Sequence, residues 1–235
     1  MRETDDSLIM KTDLSLPAGI KLYYDLLPPQ KSPAPLLIAL HGYGASKRQM
    51  MREAQQMAPI GFAIAALQGF HQHMREPKEV GGPLRFGFGW LTNFRPEESV
   101  AVHHKALLDL MATLVDEGVA DPGRVFLLGF SQTCALNYRF AFTHGSRLRG
   151  VVGICGGIPG DWNASEVYKP TNAAVFHLAG TRDDFYPPSR VSDYAEQLRT
   201  RAQSVAFKTY DAAHKIVPSM HQDVKHWLLE QAAGE

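Results

Sequence analysis

The chain has 235 residues, with 24 Lys plus Arg balancing 24 Asp plus Glu and a pI near 7.2. That balance removes the electrostatic case for nucleic acid or an anionic membrane surface as partner and leaves a small molecule. The length suits one large α/β domain better than two of usual size, and no uninterrupted apolar run approaches the ~20 residues of a membrane span, so a soluble chain is expected.

Residues 1 to 19 are polar and aperiodic, which predicts an N-terminal arm or a short edge strand ahead of a core from about 20 to 232. Asp5, Asp6 and Asp13 fall within the first twenty residues, where a signal peptide would need an apolar h-region, so the cytoplasm is the expected compartment. Lys21–Leu27 has the character of an early strand. The four prolines between Pro28 and Pro35 then form a connection that can continue neither a helix nor a central strand. Leu36–Leu40 is a buried strand ending at His41-Gly42-Tyr43-Gly44. A helix over about Lys47–Met57 and a strand over Phe62–Leu67 follow, giving strand, helix, strand.

Gly69–Pro96 lacks both periods and is predicted as a long loop. Its aromatic residues, Phe70, Phe86, Phe88, Trp90 and Phe94, argue for packing as one wall of a pocket. Glu97–Gly118 is the clearest helix, with acidic residues in its first turn, Val102, Ala106, Leu110 and Leu114 on one face, and a glycine at its end.

The run Val125–Leu128 is apolar without alternation, as in a parallel strand covered on both faces. Helical spacing of Ala135, Leu136, Phe140 and Ala141 begins immediately after Ser131. A strand and a helix can meet so abruptly only over a strained residue, which lifts the serine hydroxyl above the strand ends. Further strands are predicted over Leu148–Cys155, Ala173–Ala179 and Val205–Tyr210, with helices over Ser189–Ala202 and Pro218–Gln231. This alternation indicates one α/β domain with a mostly parallel sheet and helices on both faces. Cys134 and Cys155 sit in apolar surroundings and are expected to be reduced and buried.

Function in such a sheet gathers at the carboxyl ends of the strands. A serine hydroxyl needs a base to take its proton, and the base needs a carboxylate to hold its tautomer. Ser131, Asp183 and His214 each follow a separate predicted strand, in the chain order of the α/β-hydrolase fold. Asp184 is the rival acid. Backbone N–H groups of Gln132 and Tyr43 are the candidate donors to an oxyanion. His41 reads as a structural hydrogen-bonding residue beneath that loop. The pairs His71/His73 and His103/His104 lack carboxylate or thiolate company at zinc-site spacing, so they read as solvated histidines and no metal site is assigned. His221 and His226 are expected on the surface of the last helix.

The segments Leu40-His41-Gly42-Tyr43-Gly44, Gly129-Phe130-Ser131-Gln132, Gly180-Thr181-Arg182-Asp183 running to Pro187, and His214 ahead of Asp223-Val224 resemble the phospholipase/carboxylesterase group of α/β-hydrolases, which includes the acyl-protein thioesterases. The resemblance implies a cofactor-free hydrolase of carboxylic esters or thioesters. It makes Ser131, Asp183 and His214 nucleophile, orienting acid and base, with Tyr43 and Gln132 as oxyanion donors. It also places Trp90 in an acyl pocket, to which Phe88 and Phe185 are added as lining candidates. One departure stands out: the family usually carries a small residue, most often glycine, two places after the serine, and here it is Thr133, for which a looser turn or smaller neighbours are expected.

Amide, peptide or lactone hydrolysis in the same site and a non-catalytic receptor on the same fold are the alternatives. A nucleotide-binding protein is disfavoured because neither GxGxxG nor GxxxxGK[ST] occurs. Oligomeric state is left open, a homodimer included.

Overall fold

The computed structural model describes residues 12–77, 79 and 81–234. Of the arm expected over residues 1–19, residues 1–11 lie outside the described residues, and residues 12–19 run exposed without helix or strand.

Seven strands form one sheet in the order β1-β3-β2-β6-β7-β8-β9. They are β1 Tyr24–Leu27, β2 Ala34–Leu40, β3 Ala63–Leu67, β6 Ala120–Phe130, β7 Gly150–Ile154, β8 Ala174–Gly180 and β9 Val205–Tyr210. Within this sheet, among the described residues, only the edge strand β1 runs antiparallel, against β3, and the other pairings are parallel. Helices α1 Lys47–Met57, α2 Pro96–Asp116, α3 Gln132–Thr143, α4 Pro188–Val191, α5 Tyr194–Arg199 and α6 Pro218–Ala233 complete the main layers. Among the described residues no helix is long and apolar enough to cross a membrane.

Central strands read as continuous apolar runs because both sides are covered. Leu36, Ile38 and Leu40 pack in one cluster with Leu107 and Leu110 of α2 and Leu136 of α3. Leu37 and Ala39 pack in another with Met50 and Met57 of α1 and Leu228 of α6. Each fully buried Leu or Phe contributes on the order of 1.5–3 kcal/mol. Several such side chains per strand outweigh the ~1–3 kcal/mol of backbone strain that a functional turn stores at a strand end.

Chain order places β3 on one side of β2 and β6 on the other. The crevice at such a reversal lies between the carboxyl ends of neighbouring strands, and that is where α/β sheets take ligands. Here it lies between Leu40 and Gly129, which are register partners.

Three expectations need correction. The long loop contains a hairpin, β4 His71–Arg75 paired antiparallel with β5 Arg85–Gly89. Glycine hid the second strand's alternation: a Cβ at Gly87 would stand 2.7 Å from His73 Nε2 and 2.9 Å from Gly44 Cα, so an ordinary inward side chain has no room. The helix expected over Ser189–Ala202 is broken into α4 and α5. There the Ser192 hydroxyl turns to the Asp193 carboxylate, a local bond of the kind that competes with helical structure. Of the histidines of α2 and the hairpin, expected to be solvated, one is buried and three are half-buried. His103 is completely buried, His71 Nε2 lies 2.9 Å from Ser99 Oγ, and the His73 ring stacks on Tyr43 at 4.5 Å. The buried face of α2 keeps Ala106, Leu110 and Leu114 of the expected stripe and adds His103, Leu107 and Met111, while Val102 at its margin is half-buried.

Candidate active site

Ser131 joins β6 directly to α3 with φ 57° and ψ −114°. A non-glycine residue at that positive φ is strained, and the strain is held by flanking bonds: the Ser131 N–H donates to the Ile154 carbonyl at 2.9 Å and Cys134 N–H donates to the Ser131 carbonyl at 3.1 Å. The side chain is thereby lifted off both the strand and the helix.

His214, in the loop between β9 and α6, places Nε2 2.9 Å from Ser131 Oγ. Its Nδ1 lies 2.8 Å from Asp183 Oδ2. Asp183, beyond β8, has a side chain with no exposed surface. Its other oxygen accepts the N–H groups of Phe185 at 2.9 Å and Tyr186 at 3.0 Å. A buried carboxylate is tolerable when its lone pairs are satisfied, and three partners do so here. Because the carboxylate can only accept, Nδ1 carries the imidazole proton and Nε2 is left to accept the serine hydroxyl proton. The rival Asp184 is exposed, outside this row.

The first oxyanion-loop candidate leaves β2 at His41-Gly42-Tyr43. Gly42 lies so close to the elbow that a Cβ there would stand 2.9 Å from Phe130 Cδ1 and 3.2 Å from Ser131 Cβ. His41 anchors the loop from below. Its Nε2 accepts the Gly69 N–H at 2.9 Å, so its Nδ1 holds the proton and donates to the Gly42 carbonyl at 2.8 Å. Burial pushes the His41 pKa down to about 4, keeping it neutral. Among the described residues no acceptor takes the N–H of Tyr43 or of Gln132, which leaves both free for a ligand oxygen.

The hairpin presses on the same loop. Gly44 N–H donates to the Phe88 carbonyl at 2.8 Å, and Arg75 Nη1 donates to the Gly44 carbonyl at 2.8 Å. The ring of Trp90 is fully buried, and its Nε1–H donates to the His41 carbonyl at 3.0 Å. Trp90 therefore braces the loop from inside the core, a correction to its expected place in a pocket wall. Phe88 is half-buried and stands on the face of β5 opposite Gly87 and Gly89, the glycines whose absent side chains admit Gly44 and the Tyr43 ring. Phe185 does stand at the site, 67% exposed, with its ring 4.8 Å from that of His214.

Sequence reasoning missed two further aromatic neighbours of His214, Phe130 at 5.0 Å and Tyr186 at 5.9 Å between ring centroids. Their positions next to Ser131 and three residues after Asp183 were the available signal. His221, expected on the surface, is mostly covered and pairs with Glu53 at 2.8 Å, bridging α6 to α1. Thr133 is wholly buried and its hydroxyl is bonded within the elbow, so the turn is braced and not loosened. Both cysteines are free and buried, and burial pushes the Cys155 thiol up to about 12.

A cavity of about 320 Å³ opens beside His214 and Gly42, with Met50, Phe130 and Ile216 in its lining. A larger one, about 440 Å³ between residues 18–24 and α2, touches none of the residues just described, so volume alone does not locate the chemistry. Among the described residues no three His, Cys, Asp or Glu side chains converge as metal ligands.

The profile of the phospholipase/carboxylesterase family matches residues 24–231. The chain is 27% identical over 215 residues to acyl-protein thioesterase 1 of Gibberella zeae, covering 83% of this chain and 89% of that protein. Its fold is similar to that of a Bacillus cereus carboxylesterase, with TM-score 0.71, 17% identity, and 89% of this chain and 94% of the other covered. It is also similar to Zea mays acyl-protein thioesterase 2, with TM-score 0.65, 17% identity, and 90% and 99% covered.

Proposed function

The chain belongs to the phospholipase/carboxylesterase family of esterase- and thioesterase-type hydrolases, and on that premise we propose that it is a serine hydrolase cleaving carboxylic esters or thioesters of small to medium substrates through an acyl-enzyme. The observation that carries this reading is the hydrogen-bonded row Ser131 Oγ, His214 Nε2, His214 Nδ1 and Asp183 Oδ2, with steps of 2.9 and 2.8 Å between residues.

Ser131 Oγ attacks the acyl carbon while its proton passes to His214 Nε2, and the carbonyl π electrons move onto oxygen. The N–H groups of Tyr43 and Gln132 receive that oxyanion. Preorganised donors of this kind are worth about 3 kcal/mol each, because they need no reorganisation as charge develops. The imidazolium is steadied by Asp183 and returns its proton to the departing alkoxide or thiolate. Water then enters and gives a proton to the same Nε2 as its oxygen bonds to the acyl carbon; the acyl–Oγ bond breaks, the imidazolium returns that proton to Ser131 Oγ, and the carboxylic acid leaves.

Phe130, Phe185 and Tyr186 surround His214 with apolar surface, which favours acyl or leaving groups of hydrocarbon character. The similarity to acyl-protein thioesterase 1 supports including thioesters.

Ser131→Ala is expected to abolish turnover of a short p-nitrophenyl ester and labelling by a fluorophosphonate. Wild-type rates in that variant would overturn the proposal. A panel of esters and acyl-CoA thioesters of graded length then ranks the substrates.

A further inference from the structure

Resting on the serine-hydrolase reading, we propose that Thr133 is a positioning residue: its hydroxyl couples the nucleophile elbow to the oxyanion loop and holds the two N–H donors in register with Ser131.

Thr133 is completely buried in the first turn of α3. Its Oγ1 accepts the Phe130 N–H at 3.0 Å. The single hydroxyl proton faces two carbonyl oxygens, that of Leu40 at 3.0 Å and that of Phe130 at 3.1 Å. The bond to Leu40 spans 93 residues of sequence, and this long-range bond matters for function. Leu40 ends β2 and Phe130 ends β6, the neighbouring strands on either side of the crevice. On the far side of β6 the ladder continues, because the Ser131 N–H still reaches the Ile154 carbonyl. On the β2 side the Thr133 hydroxyl takes over, relaying from the Phe130 N–H to the Leu40 carbonyl.

Phe130 is one residue before Ser131, Thr133 one residue after Gln132, and Leu40 three residues before Tyr43. One hydroxyl thus touches both segments that supply oxyanion donors and the residue preceding the nucleophile. Glycine, the more usual residue of the resembled family at this position, offers no such group. In this chain its introduction would leave a buried N–H and a buried carbonyl without this partner. Buried groups in that condition move to find new partners, and a displacement near 1 Å at a reacting centre costs about 100-fold in rate.

The role predicts an effect on the transition state and not on ground-state binding. Thr133→Val keeps the shape and removes the hydroxyl, while Thr133→Ser keeps the hydroxyl. With a p-nitrophenyl ester, at a temperature where circular dichroism shows both variants folded, Thr133→Val is expected to lower kcat by about 10- to 100-fold with KM within about twofold. Thr133→Ser is expected to stay within about threefold of wild type. Affinity for a tetrahedral boronic acid should fall in Thr133→Val by the same factor as kcat, and affinity for the planar carboxylate product should not. Wild-type kcat in Thr133→Val, equal losses in Thr133→Ser, or equal weakening of planar and tetrahedral ligands would overturn the inference while fluorophosphonate labelling of wild type still supported the hydrolase reading. A wild-type chain that takes up no fluorophosphonate would overturn both.

Discussion

The side-chain oxygen of Gln132 accepts the backbone N–H of Trp90 at 2.8 Å, across 42 residues of sequence. Its amide nitrogen donates to the Leu91 carbonyl at 3.1 Å. The residue after the proposed nucleophile therefore combines a backbone N–H that no acceptor takes among the described residues with a side chain clasping the end of the hairpin that presses on the proposed oxyanion loop. Gln132→Ala leaves the Trp90 N–H unpaired and is expected to cost about 1–3 kcal/mol of stability. Hydrogen exchange at the Trp90 amide should accelerate at least tenfold; unchanged protection would show that the clasp is dispensable.

Adjacent carboxylates allow a clean contrast. Asp183→Asn puts an amide where only an acceptor fits, favouring the imidazole tautomer whose proton points at Ser131, and kcat should fall by about 10,000-fold. Asp184→Asn alters an exposed side chain and should leave kcat within about threefold. Steady-state kinetics on one ester decide the matter, and equal effects would remove Asp183 from its assigned role.

Two glycines hold the loop's close approaches. A Cβ at Gly69 would stand 2.6 Å from the Gly89 carbonyl oxygen, a backbone atom that cannot swing aside, and 3.2 Å from the His41 ring. Gly69→Ala is expected to destabilise the fold by about 1–3 kcal/mol through overpacking, read as a lower urea midpoint. At Gly42 the nearest atoms belong to Phe130 and Ser131, so Gly42→Ala should act mainly on kcat, lowering it about 100-fold.

Acid should weaken the fold through its buried histidines. Burial lowers His41 and His177 to about 4 and His103 to about 3. Below pH 6.5 the unfolded chain binds protons that these folded imidazoles refuse. Stability is thus fully present above pH 6.5 and lost as pH falls toward 4, at about 1.4 kcal/mol per pH unit for each residue. The urea midpoint should drop between pH 7.5 and pH 5. Among the described residues neither ring nitrogen of His103 has an aligned hydrogen-bond partner. His103→Phe should therefore leave neutral-pH stability within about 1 kcal/mol and flatten the acid dependence; an unchanged slope would show that His103 titrates normally.

What could be read from the linear order of residues was periodicity and punctuation. Unalternated apolar runs such as Leu36–Leu40 and Val125–Leu128 announce strands covered on both faces, since a fully buried strand has no polar side to show. The abrupt passage from Leu128 through Ser131 into a helix announces strain before any angle is known. Chain order alone aligns a serine, an acid and a histidine with three strand ends, because a parallel sheet brings all its carboxyl ends to one edge.

Contacts across the sheet were out of reach, because they depend on where side chains point once distant segments meet. Asp183 and Asp184 differ by one position in sequence, yet the turn buries one and exposes the other. Trp90 has the composition of a pocket wall, and only the placement of the His41 carbonyl turns its indole inward as a brace. The hairpin was masked because Gly87 and Gly89 erase the pattern of a strand where a neighbouring loop needs their missing side chains. Thr133 is legible only as a departure from a motif; the separation of 93 positions between its hydroxyl and the Leu40 carbonyl is closed by burial of the strands, a collective force that local spacing does not record.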